Sequence, residues 1–127
     1  MNRLVEIRIY KLHPDTGKHF HDLVLIHSIP LLNAAAMEVV AHGPSLHDPD
    51  CYYLMRAFDD AAHMKASEDR FYSSAAWRDG PREKILALIE SYWDAVLWLS
   101  TEAVAEMKKS HESLAQNNSQ ADPTATL

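Results

Sequence analysis

The run Leu4-Val5-Glu6-Ile7-Arg8-Ile9-Tyr10 brings three chemically able side chains into one short stretch. Strand alternation would place Glu6, Arg8 and Tyr10 on one face and Val5, Ile7 and Ile9 on the other. A second run, Cys51 to Phe58, gives Arg56 the same parity as Tyr52, Leu54 and Phe58. If the two runs are adjacent strands, a carboxylate, two guanidiniums and two phenols share one surface. Guanidinium groups present a planar fork of donors, so this face could orient an acidic or phenolic ligand through Arg8, with Glu6, Arg56 and Tyr52 beside it. The plainer alternative is that Glu6 and Arg56 pair across the strands and neutralise a face that is otherwise buried.

Eight histidines invite a metal hypothesis that their spacing does not support. His19 and His21 stand two apart on an expected helix and face different ways, and no pair has the four-residue spacing that brings two imidazoles onto one metal. His42 alternates with Glu38 and Val40 and is the candidate general base near neutral pH, with Tyr10 as the other candidate and Arg8 as the group that stabilises the resulting anion. A histidine at a strand end can equally be a solvated or hydrogen-bonded residue. His63 falls on the second helix, where it could line the same cavity, and His27 falls on the apolar stripe of the first. Phosphate loops, dinucleotide fingerprints, nucleophile elbows and zinc motifs are all absent from the sequence. Neither a bound cofactor nor a metal is expected.

Four strands and two helical crossings must position these groups. The segment His13-Pro14-Asp15-Thr16-Gly17 is a turn, with Thr16 or Asp15 as a cap, and a helix from about Thr16 should end or kink at Pro30. Met37 to His42 reads as a second strand, Gly43 to Asp50 as a loop, and Cys51 to Phe58 as a third strand. Asp59 and Asp60 cap a helix reaching about Phe71, Ser73 or Ser74 caps a turn carrying Trp77, and Pro81 restarts a helix. Helical spacing of Ile85, Leu88, Ile89 and Tyr92 extends that helix, and Tyr92 to Leu99 forms the fourth strand. An amphipathic helix over 101–115 carries Val104, Met107, His111 and Leu114 along one stripe. Residues 116–127 are polar and too poor in apolar surface to order, which predicts a disordered tail.

The order βαββαβ is the split arrangement of an α+β ferredoxin-like sandwich, with both helical crossings on one face of an antiparallel sheet. If the uncovered face also carries Tyr10, Val40, Tyr52, Leu54 and Phe58, a monomer would expose a large apolar patch. Packing two sheets face to face removes it, which predicts a homodimer. Apolar residues make up 47% of the 127, ample for one core, so residues 1–100 form one domain. The formal charge of −6, with scattered Lys and Arg, argues against nucleic-acid binding. No stretch approaches the roughly 20 apolar residues that span a bilayer, so no membrane association is expected. The lone Cys51 suits a reducing, cytoplasmic setting.

The segments Val5 to Tyr10, Arg70-Phe71-Tyr72, Ala76 to Glu83 and Ile89-Glu90-Ser91-Tyr92, in this order, resemble the NIPSNAP family over residues 3–100. That resemblance implies membership of the dimeric α/β-barrel superfamily, which also holds cofactor-independent monooxygenases. It implies a homodimer and little about the reaction; the leading expectation, by analogy with relatives in the superfamily, is a protein that binds or converts a small aromatic or polyketide-like molecule without a bound cofactor. The alternative is a non-catalytic ligand carrier or protein-interaction module, since a fold does not fix a function.

Overall fold

The computed structural model describes residues 1–118. The elements run β1 (Asn2–Leu12), α1 (Gly17–Leu23), a π-helical turn (Val24–Ser28), α2 (Ile29–Ala34), β2 (Glu38–Ser45), β3 (Asp48–Phe58), α3 (Ala61–Tyr72), α4 (Ala75–Arg78), α5 (Arg82–Leu86), β4 (Ile89–Ser100) and α6 (Thr101–Asn118). The four strands form one antiparallel sheet in the order β2-β3-β1-β4. With α1–α2 and α3–α5 as the two crossings, this is the ferredoxin-like α+β fold. The helix α6 reaches Asn118, three residues beyond its expected end. The rest of the expected tail, 119–127, lies outside the described residues.

The two faces of the sheet are assigned differently from the sequence expectation. Tyr10, Tyr52, Leu54 and Phe58 lie under the helices, packed with Phe20, Leu23, Leu32, Phe71, Trp77 and Ile85. The opposite face carries Val5, Val40, Ala41, Met55 and Ala57, and α6 lays Val104 and Met107 onto it. Large rings on the helix face meet the large rings of the helices, whereas the smaller residues of the other face admit a close-lying helix. Each large apolar side chain so buried contributes roughly 1.5–3 kcal/mol. The edge strand β4 is left uncovered, with Trp93 58% and Trp98 55% exposed.

Parity in β2 is broken by a bulge between Val39 and Ala41. Val39 therefore joins the helix-side core while Val40 and Ala41 both belong to the other face, and His42, opposite Leu54, returns to the helix side. The extra residue of a bulge is the reason that His42 and Val40, two apart, do not share a face.

Three further local expectations change. The stretch Gly43 to Asp50 is not a loop: both strands continue through it to a tight turn at Leu46 and His47. Pro44 is tolerated because β2 is an edge strand, and Pro49 because it lies at the start of β3. Of the two outcomes expected near Pro30, an end or a kink, the helix does not end, because a π turn precedes the proline. There Ile29 N–H donates to the Val24 carbonyl, five residues back, and the ladder resumes with Pro30 in the first turn of α2, where no amide donor is needed. The same turn leaves Leu25, Ile26 and His27 exposed, so His27 is not a packing residue. Finally α5 ends at Leu86, and Ile89 already pairs with Leu12, so the helical spacing up to Tyr92 is coincidental.

The caps join distant parts of the chain. Asp60 Oδ1 accepts the His63 amide at 2.7 Å, and Ser74 Oγ accepts the Trp77 amide at 3.3 Å. At α1 the expected cap fails, since Thr16 Oγ1 donates instead to the His13 carbonyl at 2.6 Å. Asp50, from β3, accepts the amides of Gly17 and Asp15, each at 2.9 Å, and so takes the capping role. Gly17 approaches β3 so closely that a Cβ there would lie 1.8 Å from the Pro49 carbonyl oxygen.

Candidate functional site

Between the β1 and β4 half of the sheet and the helices α3, α4 and α5 lies an open cleft of about 1140 Å³. Tyr10, Tyr72, Trp77, Ile85 and Tyr92 give it aromatic and apolar walls, while Arg8, Arg78 and Arg82 bring positive charge to it and Glu68, Asp69 and Glu90 negative charge. Behind it, sharing Tyr10, Tyr72, Trp77 and Ile85, is a small apolar void of about 40 Å³ closed by Phe20, Tyr52 and Leu54. Strand pairing sets the floor: Glu6 stands opposite Arg56 in β3 and Val96 in β4, Arg8 opposite Asp94, and Tyr10 opposite Tyr52 and Tyr92.

A five-membered ionic and phenolic network runs along this floor. Arg56 is fully buried and directs Nη2 at Glu6 Oε1 in a close hydrogen bond, while its Nη1 donates to Tyr72 Oη at 2.8 Å. Arg8 clasps Asp94 with both prongs, Nε to Oδ1 at 2.7 Å and Nη2 to Oδ2 at 3.2 Å, and donates to Tyr72 Oη at 3.4 Å. The Arg8 Nη2 also lies 3.8 Å from Glu6 Oε2, and its guanidinium carbon sits 4.7 Å from the centre of the Tyr92 ring. Burial works against the charge on Arg8, but the Asp94 hydrogen bond, with Tyr10, Tyr72 and Glu6, outweighs it and holds the guanidinium above its usual range. Burial raises the Tyr10 phenol too, which makes it a poor base at neutral pH.

Glu68 is the exception in this balanced network. Its Oε1 lies 3.5 Å from Arg56 Nη2, a nitrogen already committed to Glu6, and makes no hydrogen bond of its own. Burial and the adjacent Glu6 carboxylate push its acid up to about 7, against the opposing pull of Arg56 and Arg8. Arg56 Nε is likewise buried without a partner among the described residues.

The structure thus gathers Glu6, Arg8, Tyr10 and Arg56 at one place. It sets three other candidates apart. Tyr52 is buried and directs its hydroxyl to a different cluster, 2.7 Å from His21 Nδ1 and 3.1 Å from His42 Nδ1. The His42 ring stands 5.1 Å from that of His111 on α6, and burial, with His111 and His21 nearby, lowers it to about 4. His42 does not line the cleft. His63 packs its ring edge-on against Phe58 and takes the Asp59 amide on Nδ1 at 2.9 Å, at the start of α3 and away from the cleft lining. No trio of His, Cys, Asp or Glu among the described residues is arranged to hold a metal ion.

Five participants escaped the sequence reading: Glu68, Tyr72, Asp94, Arg78 and Arg82. Glu68 and Tyr72 stand four apart and so lie on one face of α3, and Asp94 has the parity of Tyr92 and Trp98, which were the available signals.

No protein-family model matches the chain, and no curated protein matches it. Among solved structures it is similar to a NIPSNAP family protein with unknown function from Agrobacterium tumefaciens, at 20% identity and TM-score 0.71, covering 77% of this chain and 88% of that one. An uncharacterized NIPSNAP domain protein from Burkholderia xenovorans superposes with TM-score 0.69 at 16% identity, covering 77% and 95% of the two chains. A putative antibiotic biosynthesis monooxygenase from Nitrosomonas europaea is more distant, with TM-score 0.55 and 16% identity over 74% of this chain and 95% of that one. No helix among the described residues is long and apolar enough to cross a membrane. With these superpositions at TM-scores of 0.69 and 0.71, the chain has the fold of the NIPSNAP domain proteins, whose motifs its sequence resembles.

Proposed function

We propose that this chain is a NIPSNAP-like homodimeric protein whose cleft takes a small aromatic or polyketide-like acid and acts on it without a bound cofactor. The observation that carries the reading is the cleft itself, where aromatic walls meet three guanidiniums, while two of its three carboxylates, Asp69 and Glu90, are paired with Lys65 and Lys11. Ligand sites combine apolar walls with a few convergent polar groups in this way. Arg8 is already clasped by Asp94, but no ion pair of Arg78 or Arg82 is found among the described residues, and both are exposed. They are free to meet an anion at the rim while its ring stacks among Tyr72, Trp77 and Tyr92. Arg8 and Tyr10 remain at the reacting end, and His42, outside the cleft, has no part in this reading.

A monooxygenase-like reaction that uses no cofactor consists, on the protein's side, of deprotonating and orienting a substrate able to give an electron to oxygen. The distant likeness to a putative monooxygenase supports that direction as a fold analogy. The dimer is supported by β4, whose exposed Trp93 and Leu97 continue the apolar face that α6 covers only in part. A cytosolic setting accords with the single half-buried thiol of Cys51.

Titration calorimetry with benzoate tests the cleft. The double variant Arg78→Gln, Arg82→Gln should bind benzoate about tenfold more weakly, since a hydrogen bond to a charged group contributes roughly 1.5–3 kcal/mol and exposure reduces it. The thermal midpoint should not move. Equal binding of benzoate and neutral benzamide by the wild-type protein would refute an acid-selective site.

A further inference from the structure

Two carboxylates compete for one guanidinium nitrogen at the cleft floor. Glu6 is almost fully buried and takes Arg56 Nη2 in the close hydrogen bond, and the second oxygen it offers lies toward Arg8. Glu68 reaches the same Nη2 from α3, at ion-pair distance only, with its Oε1 buried and without a donor. The remaining cation of the network, Arg8, is occupied by Asp94. With both Glu6 and Glu68 ionised, three carboxylates would face two guanidiniums in a partly dry site, and one would be left uncompensated. Like-charged carboxylates sharing a site resolve this by holding a proton between them. Unlike Glu6, Glu68 also forms part of the cleft wall, so a proton it carries is in reach of a bound molecule.

We infer that Glu6 and Glu68 share one proton over Arg56, and that Glu68 is the acid and base group that exchanges this proton with a ligand in the cleft. The inference rests on the cleft being the ligand site, as proposed above. In the forward direction a Glu68 oxygen forms a new O–H bond to a proton from an acidic O–H or C–H of the ligand. The electron pair of the broken bond stays on the ligand as an anion facing Arg8, and the reverse step returns the proton. No oxidant or reductant enters. The groups around Glu68 are Glu6 and Arg8 on β1, Arg56 on β3, Asp94 on β4 behind Arg8, and Tyr72 one turn along α3. The value near 7 means that both protonation states are populated at neutral pH, as a group that both gives and takes a proton requires.

Carbon-13 NMR of protein labelled at glutamate side-chain carboxyls, titrated from pH 3 to 9, reads the shared proton directly and needs no ligand. One glutamate carboxyl should titrate near neutrality. It should vanish in Glu68→Gln and fall toward the ordinary carboxylate range in Glu6→Gln, two isosteric changes that keep the fold testable. If every glutamate titrates in the ordinary range, no proton is shared and the inference falls, whether or not benzoate binds. The exchange role is read from benzoate affinity over the neutral and alkaline part of that range, where benzoate itself stays ionised. It should drop about tenfold per pH unit above the midpoint in the wild-type protein, because an added negative charge then faces the anion, and it should be flat in Glu68→Gln. A neutral-range carboxyl together with pH-independent benzoate binding would overturn the exchange role. Failure to bind benzoate at any pH would instead sink the cleft reading and the exchange role with it, while leaving the shared proton standing.

Discussion

Replacing Arg56 by Met removes the central cation of the network and keeps most of its volume. The magnitude follows from what is left behind. Glu6, 3% exposed, loses its close partner, and the nearest remaining cation is Arg8 Nη2 at 3.8 Å, itself bound to Asp94. Stranding one member of a buried ion pair costs about 3–5 kcal/mol, and the Tyr72 hydroxyl loses a donor at 2.8 Å whose net contribution is about 1 kcal/mol. Against a typical total of about 5–15 kcal/mol, that is a large share of the stability. The double variant Glu6→Gln, Arg56→Met removes both charges and should recover most of the loss, since replacing a whole buried pair is often near neutral. The single variant should also recover as the pH falls, because an unpaired Glu6 can take up a proton. Urea unfolding followed by tryptophan fluorescence at pH 5 and pH 8 measures all of this. A single-variant loss below about 1 kcal/mol at pH 8, or a double variant less stable than the single one, would refute the reasoning.

Glu68, raised from 4.5 to about 7, stabilises the fold fully below its unfolded value, and that contribution is lost as pH rises through about 7; the urea midpoint should therefore decline between about pH 4.5 and 7, and Glu68→Gln should flatten that decline. His42 acts in the opposite sense: lowered from 6.5 to about 4, it contributes above 6.5 and loses that contribution as pH falls through about 4, so His42→Gln should flatten the acid limb. Gly17→Ala forces a methyl group into the Pro49 carbonyl and should cost at least about 1–3 kcal/mol in chemical unfolding, whereas an unchanged midpoint would contradict the close approach of α1 to β3. Light scattering should give close to twice the 14.4 kDa chain mass, and Trp93→Lys should shift that value toward the monomer; a wild-type monomer would contradict the dimer.

Much of the fold was legible because its signals are local and redundant. The alternation in residues 4 to 10, the β-prone run at 51 to 58 and the caps at Asp60 and Ser74 each mark an element, and together they give βαββαβ. The pairing of Glu6 with Arg56 was legible for the same reason, since parity and strand adjacency suffice. Which sheet face receives the helices was not, because both faces carry apolar residues and only the fit of rings against Phe20, Phe71 and Trp77 decides between them. The bulge at Val39 to Ala41 leaves no compositional mark, and it moved His42 away from the face that simple alternation gives it. An end or a kink is all that the sequence indicates near Pro30, and the π turn that lets the helix continue there leaves no mark of its own. At the cleft, the β1 residues were visible, whereas Glu68, Arg78 and Arg82 come from helices whose distance to β1 is a tertiary fact. Asp50 capping α1 is of the same kind, a long-range partner taking a role that Thr16 was expected to fill.

The central claim is that an aromatic acid occupies the cleft between β1, β4 and α3 to α5. Amide and indole chemical-shift mapping of the nitrogen-15-labelled protein during a benzoate titration tests it most directly. The shifts should concentrate at Arg8, Tyr72, Ser73, Arg78, Tyr92 and the Trp77 indole, saturate together, and shrink in the Arg78→Gln, Arg82→Gln variant. Shifts centred instead on Val40, Met55 and the α6 residues Val104 and Met107, on the opposite face of the sheet, or no saturable shifts at all, would contradict it.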